Sequence, residues 1–152
     1  MRAVIQKVTS ANVTVNNQKI SSISQGLVVL IGISKDDTTI DAENLVKTIV
    51  KLKIFDGLKD GGQKRWCQNI KDIQGEILCV SQFTLQAKLK KSKPDFHTAA
   101  KGPEAKILYT EILEGLRKIL GEDKIKDGVF GAMMSVHLVN DGPVTINYDT
   151  RL

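Results

Sequence analysis

The apolar run GLVVLIGIS, residues 26 to 34, constrains the fold more strongly than any other part of the sequence. It has the length of a β-strand and shows no alternation of apolar and polar residues, which is typical of a strand covered on both faces. The segment EILCVSQFTL, residues 76 to 85, also has the pattern of a strand in the core. Two such strands predict a sheet on which further structure packs.

Two other segments have the periodicity of helices. The first runs from Thr38 to Phe55 and begins with Thr38 and Asp41 arranged as a capping box. The second begins at Pro103, a residue favoured in the first helical turn, and ends at Gly121. The predicted apolar faces are Ile40, Leu45, Ile49 and Leu52 in the first helix, and Ala105, Leu108, Ile112, Leu116 and Ile119 in the second.

Both ends of the chain alternate in the way that strands do. Residues 1 to 20 predict two short strands, with a turn or bulge at Ser10-Ala11 and a turn at Asn16-Asn17. Residues 124 to 152 predict strands that are interrupted by glycine and proline. Within them, SVHLV and TINYDT alternate well enough to pair as a hairpin around NDGPVT, residues 140 to 145.

The order of these elements defines a fold class. The stretches 56–62 and 86–102 are too polar and irregular for core elements, and we expect them to be loops. Strands with two interspersed helices predict an α/β fold, a single domain over residues 1–152. We expect a curved, mixed, barrel-like sheet with the two main helices packed outside it.

Composition narrows the chemistry. Cys67 and Cys79 are the only cysteines and His97 and His137 the only histidines, so we expect no metal site, no disulfide framework and no cofactor. No apolar run approaches the ~20 residues of a membrane span, and the sequence begins without the apolar block of a signal peptide. We therefore expect a soluble, cytoplasmic protein with no membrane partner. The net charge of +5 favours an anionic partner, nucleic acid above all.

The motif SQFTL, residues 81 to 85, places two hydroxyl groups where an apolar strand ends beside a long loop. Sites in α/β proteins collect at such positions, so Ser81 and Thr84 are candidates for catalytic residues. The alternative is that both hydroxyls only satisfy backbone groups as the strand terminates. A nucleophile also needs a base, and His97, in the loop, is the only one nearby in sequence.

The loop after this motif carries two further candidates. Lys88, Lys90, Lys91 and Lys93 could attract the phosphates of a substrate toward the strand end, or could be no more than a solvated face. In PDFHTAA, residues 94 to 100, the small pair Ala99-Ala100 would let a ligand approach the backbone closely, although the stretch could be only a loop anchored by Phe96.

Proline directly after a glycine in NDGPVT removes a backbone donor from a strand. A tight turn on an edge strand would explain it, with the trans bond as the default. A cis bond between Gly142 and Pro143 would instead aim neighbouring carbonyls to one side, where they could sense which substituent of a tetrahedral carbon faces them.

SQFTL and NDGPVT together resemble the two motifs of the D-aminoacyl-tRNA deacylases. MRAVIQKVTSANVTV, KPDFHTAA and GVFGAMMSVHLVNDGPVT are also similar to that family, so the resemblance spans nearly the whole chain. One departure is SKPDF, where a glycine is expected before the basic residue, and it puts only the local backbone of the loop in doubt.

The resemblance implies a hydrolase that cleaves the ester joining a D-amino acid, or glycine, to the 3′ end of tRNA. It also implies a homodimer, with active sites at the interface and the Gly142-Pro143 carbonyls of one subunit projecting into the pocket of the other to exclude L-amino acids. By this resemblance Ser81, Gln82, Phe83 and Thr84 line the catalytic pocket, and Ala99 and Ala100 help to hold the α-amino group.

Three interpretations stay open at this point. The first is the deacylase, in which either Thr84 or the 2′-hydroxyl of the terminal adenosine drives the reaction; the absence of a base beside Thr84 in the sequence favours the hydroxyl. The second is a non-catalytic tRNA- or RNA-binding dimer. The third is a hydrolase of small esters that uses Thr84 or Ser81 as nucleophile.

Overall fold

A computed structural model describes residues 1–152 and contains one main sheet, two small hairpins and two helices. The strands are β1 (Arg2–Val15), β2 (Gln18–Ile23), β3 (Gly26–Gly32), β4 (Phe55–Lys59), β5 (Gly62–Gln68), β6 (Glu76–Ser81), β7 (Lys88–Lys90), β8 (Lys93–Asp95), β9 (Ile125–Asp127) and β10 (Ser135–Asp149). The helices are α1 (Thr39–Lys51) and α2 (Gly102–Leu120), and short 3₁₀ turns cover Phe83–Gln86 and Glu122–Lys124.

The main sheet is mixed and has the strand order β10-β1-β3-β6-β9, with β2 paired to the second half of β1. The pairs β3–β6 and β6–β9 are parallel, and β1 is antiparallel to β2, β3 and β10. Strand β3 is central and buried on both faces, as its uninterrupted apolar sequence predicts, with Leu27, Val28 and Val29 fully buried.

Two hydrophobic cores lie on opposite faces of this sheet. The larger, of 21 buried residues, fills the space between the sheet and both helices, and β3 contributes Leu27, Val29 and Ile31 to it. The smaller, of seven, includes Val28 of β3 and Val80 of β6 and lies inside the curl of the sheet. Because successive side chains of a strand point to opposite faces, one strand supplies both cores. The predicted α/β class, with a barrel-like mixed sheet and two outer helices, is confirmed.

Both helices begin where the sequence predicts, but α1 ends at Lys51, four residues before the predicted end at Phe55, which is the first residue of β4. The backbone N–H of Thr38 donates to Asp41 Oδ2 at 2.9 Å, which confirms the capping box, and α2 has Pro103 in its first turn and Gly121 as its C-cap. The predicted apolar faces are wrong at Ile40 of α1, which is 69% exposed, and at Ile119 of α2, which is 44% exposed. At 100° per residue Ile40 points away from the face that is centred on Leu45, so it projects into solvent.

The long strands at the two chain ends differ from the prediction. The sequence predicts two short strands near the start of the chain, but β1 is one continuous strand from Arg2 to Val15. Its pairing with β10 is irregular on either side of Val8. The predicted hairpin around NDGPVT is wrong, because both halves of β10 pair antiparallel with β1 and not with each other. The turn at Asn16-Asn17 is confirmed, with φ of 49° and 62°.

Two stretches predicted to be loops contain hairpins. Residues 56–62 belong to the β4–β5 hairpin, whose turn is made by Asp60 and Gly61 with left-handed φ. Residues 86–102 contain the short β7–β8 hairpin. Both hairpins are separate from the main sheet. Their strands therefore lack the alternation of apolar and polar residues from which a strand is predicted.

The remaining composition-based expectations concern membranes and cysteines. Neither helix is long and apolar enough to cross a membrane. The two cysteines are free; Cys79 is fully buried in β6, and burial raises the pKa of its thiol to about 12.

Candidate functional site

A cleft of about 530 Å³ opens at the carboxyl ends of β3 and β6, which run parallel and end side by side. Four of the predicted site residues form one wall, namely Ser81, Gln82, Phe83 and Thr84. Ala100 also lines the cleft, whereas Ala99, Gly142 and Pro143 of the same chain do not. The sequence motif SQFT is thus brought into a cavity of the size that small-molecule sites have in proteins.

The shape of this wall depends on a close contact between the turn after β6 and the end of β3. The N–H of Gln82 donates to the carbonyl of Ile31 at 2.7 Å, and the chain then enters the 3₁₀ turn Phe83–Gln86. A Cβ on Gly32 would lie 2.7 Å from Leu85 Cβ and 2.8 Å from the backbone oxygen of Gln82. Only a glycine at position 32 allows the turn to approach this closely.

Gln86 fastens the other end of the same turn. Its side chain is buried, and Nε2 donates to the carbonyl of Gly32 at 2.7 Å. The hydroxyl of Thr98 donates to the carbonyl of Gln86 at 3.1 Å, which ties the turn to the loop that precedes α2. A buried hydrogen bond of this kind fixes local geometry, so the wall of the cleft is held at both ends.

The loop that carries Ala100 is held to the chain just after β3. The N–H of Ala100 donates to the carbonyl of Ile33 and the N–H of Lys35 to the carbonyl of Thr98, both at 2.9 Å. Ala99 pairs with Ser34 through an isolated β-bridge and does not line the cleft. Phe96 contacts Phe83 edge-to-face, with ring centres 5.1 Å apart.

The buried carboxylate of Asp37 fixes the chain just after β3, to which the loop with Ala100 is bound. Asp37 has no exposed side-chain area; its Oδ2 accepts from the N–H of Ser34 at 2.6 Å, and its Oδ1 accepts from the terminal amine of Met1 at 2.7 Å. Arg151 donates to the same Oδ1 at 2.9 Å. Both ends of the chain are therefore linked to the turn that holds the cleft-lining loop.

None of the sixteen residues lining the cleft carries a carboxylate, an imidazole, an amine or a thiol. The hydroxyl of Thr84 accepts a hydrogen bond from Gln82 Nε2 at 2.5 Å, so its partner is an amide that cannot act as a base. His97, the candidate base, is half-exposed outside the cleft, with Nδ1 2.8 Å from Asp95 Oδ2. The chain itself assembles no nucleophile–base pair at this site.

The lysine run lies on the β7–β8 hairpin, immediately after the wall of the cleft. Lys88, Lys90, Lys91 and Lys93 are all exposed. Lys90 Nζ lies 2.6 Å from Asp95 Oδ2, and the hydrogen bonds from Lys90 and His97 hold the pKa of that carboxyl well below its usual range. The hairpin therefore presents three further ammonium groups to solvent beside the cleft.

Gly142 and Pro143 project from the sheet in a four-residue excursion of β10 opposite Lys7 of β1, and the peptide bond between them is cis. Asn140 closes its neck: Nδ2 donates to Thr145 Oγ1 at 3.0 Å, and Oδ1 accepts from the N–H of Val144 at 3.2 Å. Lys7 Nζ lies 3.6 Å from Asp141 Oδ2. The excursion is exposed at its tip and firmly held at its base.

The opposite wall of the cleft was not identified from sequence. It consists of the segment from Phe130 to Met134, between β9 and β10, with Met133 92% exposed. In the sequence around this segment, only Gly128 and Gly131 are informative. They indicate a break between two strands, but they do not indicate that the residues of the break line the cleft.

The fold and the cleft define an α/β protein with a cleft of backbone and neutral side chains at the ends of two parallel strands. The family model described as D-Tyr-tRNA(Tyr) deacylase matches residues 4–149, and the chain belongs to that family, a family of aminoacyl-tRNA hydrolases.

Similar proteins of known sequence and structure cover the chain from end to end. The D-aminoacyl-tRNA deacylase of Yarrowia lipolytica is 56% identical over 153 residues, covering 99% of this chain and 98% of its own length. Human D-aminoacyl-tRNA deacylase 1 is 49% identical over 150 residues, covering 99% of this chain and 70% of its own.

Two solved structures share the fold. One, described as c-Myc DNA unwinding element binding protein, superposes with a TM-score of 0.92 at 50% identity and covers 98% of both chains. Another, described as a probable eukaryotic D-amino acid tRNA deacylase, has a TM-score of 0.84 at 19% identity over 97% of both chains, and it supports the fold alone.

Proposed function

We propose that this protein hydrolyses the ester that joins a D-amino acid to the 3′-terminal adenosine of tRNA, releasing the free amino acid and tRNA. The observation that carries the proposal is the cleft lined by Ser81, Gln82, Phe83 and Thr84 in a chain of the deacylase family. Its walls carry no titratable side chain. The site is therefore suited to a substrate that itself supplies the group that assists the reaction.

Water supplies the nucleophile and the terminal ribose assists it. The water oxygen attacks the ester carbonyl carbon, the 2′-hydroxyl of the same ribose directs this attack, and the 3′-oxygen leaves and takes up a proton. An aminoacyl ester is already activated, so positioning and a few fixed dipoles suffice for useful acceleration. Backbone groups of Phe83 and Thr84 stabilise the tetrahedral oxyanion, and Thr84 acts as a polar contact rather than as nucleophile.

Chirality is read by a second copy of the chain. The exposed excursion that carries Gly142 and Pro143 is held at its base by Asn140 and by the Lys7–Asp141 ion pair, yet it lies outside the cleft of its own chain. In a homodimer the main-chain oxygens of this excursion enter the partner's cleft and leave no room for an L side chain. Glycine, which has no side chain, passes the same filter, and the α-amino group is held by Ala100, the member of the Ala99-Ala100 pair that lines the cleft.

The exposed edge of β10 supports the dimer. β10 is an edge strand of 15 residues, paired only with β1. Long unpaired edges are normally protected from association with the wrong partner. Val139 on this strand is 56% exposed and Phe83 at the cleft is 58% exposed, which leaves apolar surface for a second copy to cover.

The tRNA is held through phosphates by Lys88, Lys91 and Lys93 of the β7–β8 hairpin, with Lys90 beside them. Contacts of this kind position the nucleic acid without reading its sequence. The reaction uses no metal and no cofactor, and its location in the cytoplasm stays a prediction.

The test is deacylation of D-tyrosyl-tRNA and L-tyrosyl-tRNA by the purified protein under the same conditions. We expect the D form to be cleaved at least ~100-fold faster in kcat/KM, since rejection rests on a steric clash with backbone atoms. Cleavage of the L form with the D form left intact would overturn the proposal. Glycyl-tRNA provides a third substrate, and we expect it to be cleaved.

A second candidate function is nucleic-acid binding without turnover. It is favoured by the net charge of +5 and by the solved relative that is described as a DNA unwinding element binding protein. It predicts salt-dependent binding to uncharged tRNA or DNA and rates of ester cleavage equal to the background. Catalytic turnover of D-tyrosyl-tRNA in the assay above excludes it as the whole function.

A further inference from the structure

A basic depression of about 640 Å³ lies between α1 and the end of β10, apart from the cleft. No carboxylate is among the residues that line it, which are Asn44, Lys47, Thr48, Lys51, Leu52, Lys53 and Tyr148. Besides three ammonium groups, they offer an amide and two hydroxyls. Ammonium, amide and hydroxyl groups are the donors with which proteins contact phosphate oxygens in nucleic acids.

The lysines of the basic depression are available for a ligand. Asn44, Lys47 and Lys51 are spaced along one face of α1, and Lys53 follows the helix. Lys47 lies 3.7 Å from Glu43, but both side chains are about 60% exposed, so this ion pair is weak. Lys51 and Lys53 are exposed and form no ion pair. A favourable interaction with the dipole of α1 would explain Lys51 alone, and would not explain Lys47 and Lys53.

The strand register relates this depression to the cleft. Tyr148 of β10 pairs with Ala3 of β1, Ala3 with Ile31 of β3, and Ile31 with Ser81 of β6. The four residues form a single row across the sheet. Three strand spacings of about 4.8 Å separate Tyr148 from Ser81, so these two residues, one from the lining of each site, are roughly 14 Å apart along the sheet.

The surface between the two sites is also basic. Arg2 donates to the carbonyl of Leu85 at 3.0 Å, next to the cleft, and its side chain is 44% exposed. Arg151, at the end of β10, is 46% exposed. Each contacts an aspartate, Asp149 and Asp37 respectively, with exposed guanidinium surface left over. A chain of phosphates running from the cleft to the depression would pass both cations.

We propose that the basic depression of Lys47, Lys51 and Lys53 binds the backbone phosphates of the tRNA acceptor arm while the terminal ester occupies the cleft. This rests on the proposed function. With nucleotides stacked at about 3.4 Å each, 14 Å corresponds to about four nucleotides. The phosphates bound here therefore belong to the fourth nucleotide from the ester and to those beyond it, where the paired stem of the acceptor arm begins.

The experiment compares three D-tyrosyl esters that differ only in how far the RNA extends. These are D-tyrosyl adenosine, a D-tyrosyl minihelix with the acceptor stem, and D-tyrosyl-tRNA. The variant is Lys51→Ala/Lys53→Ala. Its matched control is Lys19→Ala/Lys71→Ala, which removes the same charge from exposed positions toward the opposite end of the sheet, Lys19 on β2 beside Thr14 and Lys71 before the start of β6.

Magnitudes follow from the salt dependence of phosphate contacts. Each lost phosphate contact makes the slope of log affinity against log salt shallower by about 0.7–0.9. If affinity at 1 M salt is taken as the reference, the loss of one contact lowers the affinity at 0.15 M salt roughly fivefold. For Lys51→Ala/Lys53→Ala we expect KM for the minihelix and for tRNA to rise about 10- to 30-fold, with a shallower salt dependence. KM for D-tyrosyl adenosine and kcat for all three esters should stay within twofold of the wild type, and thermal unfolding should be unchanged.

Several results would overturn this proposal. An unchanged KM of Lys51→Ala/Lys53→Ala for tRNA would show that the depression does not bind tRNA. An equal rise in KM for D-tyrosyl adenosine means that the substitutions disturb the cleft. An equal effect of the control variant means that net charge, not this surface, is responsible. Failure of the wild-type protein to cleave any of the three esters would overturn the proposed function as well, so the two failures are distinguishable.

Discussion

Substitution of Gly32 by alanine is the sharpest test of how the cleft is built. The added Cβ would meet Leu85 Cβ at 2.7 Å and the backbone oxygen of Gln82 at 2.8 Å. Ordinary contacts begin near 3.4 Å, so the turn after β6 has to move by about 0.7 Å to relieve the closer contact. Neither obstacle can rotate away, because one is backbone and the other is the first carbon of a side chain.

Two magnitudes follow from this displacement. Forcing extra volume into a packed region costs about 1–3 kcal/mol in the free energy of unfolding. A misplacement of about 1 Å in a catalytic site can reduce the rate by about 100-fold, so we expect kcat/KM of Gly32→Ala for D-tyrosyl-tRNA to fall about 10- to 100-fold. The loss should be mainly in kcat, because the phosphate contacts are not touched.

The assay pairs urea unfolding with deacylation kinetics at a temperature where the variant is fully folded. The matched control is Gly62→Ala, since a Cβ on Gly62 has no atom within 4 Å and its φ is not in the left-handed region. We expect the control to behave as wild type in both measurements. Wild-type kinetics for Gly32→Ala, with no loss of stability, would refute the view that the turn is fixed by contact with β3.

Three further predictions test other parts of the structure. Asp37→Asn leaves the buried terminal amine without its charge partner and should lower the free energy of unfolding by about 3 kcal/mol in urea titration; Glu43→Gln, at an exposed pair, should change it by less than about 0.5 kcal/mol. Thr84→Ala should keep kcat for D-tyrosyl-tRNA within about tenfold of wild type, because the hydroxyl has no base beside it; complete loss would restore Thr84 as nucleophile. Gly142→Ala places a Cβ 3.0 Å from the N–H nitrogen of Val144 at a φ of 124°, so it should shift the excursion and reduce the ratio of D to L cleavage by about tenfold or more; an unchanged ratio would argue against the chirality filter.

The candidate site was predictable in part because its first wall is continuous in sequence. SQFTL follows an apolar strand, and the end of such a strand is a place where side chains become accessible. Ser81, Gln82, Phe83 and Thr84 accordingly share one cleft. Their roles in the reaction stay predictions, as do those of Ala99, Ala100, Gly142 and Pro143.

The second wall and the fate of His97 were not predictable. Phe130 to Met134 reach the cleft only because β6 and β9 pair in parallel, a contact between segments about fifty residues apart. His97 is near SQFTL in sequence, yet its ring contacts Asp95 within its own loop and lies outside the cleft. Proximity along the chain does not say which way a loop residue faces.

What the sequence determined by itself was local. The uninterrupted apolar run placed β3 in the centre of a sheet, the period of about 3.6 residues gave both helices, and Thr38, Pro103 and Gly121 marked helix ends. These features depend on neighbours within a few residues, so a single sequence carries them.

Tertiary structure decided which strands pair. SVHLV and TINYDT suit a hairpin locally, but each gains more by pairing along β1, whose long curved edge accepts both and leaves Gly142 and Pro143 projecting between them. The row that aligns Tyr148 with Ser81 arises in the same way. Such pairings are selected by burial across the whole sheet, and the free energy of that burial belongs to no single segment.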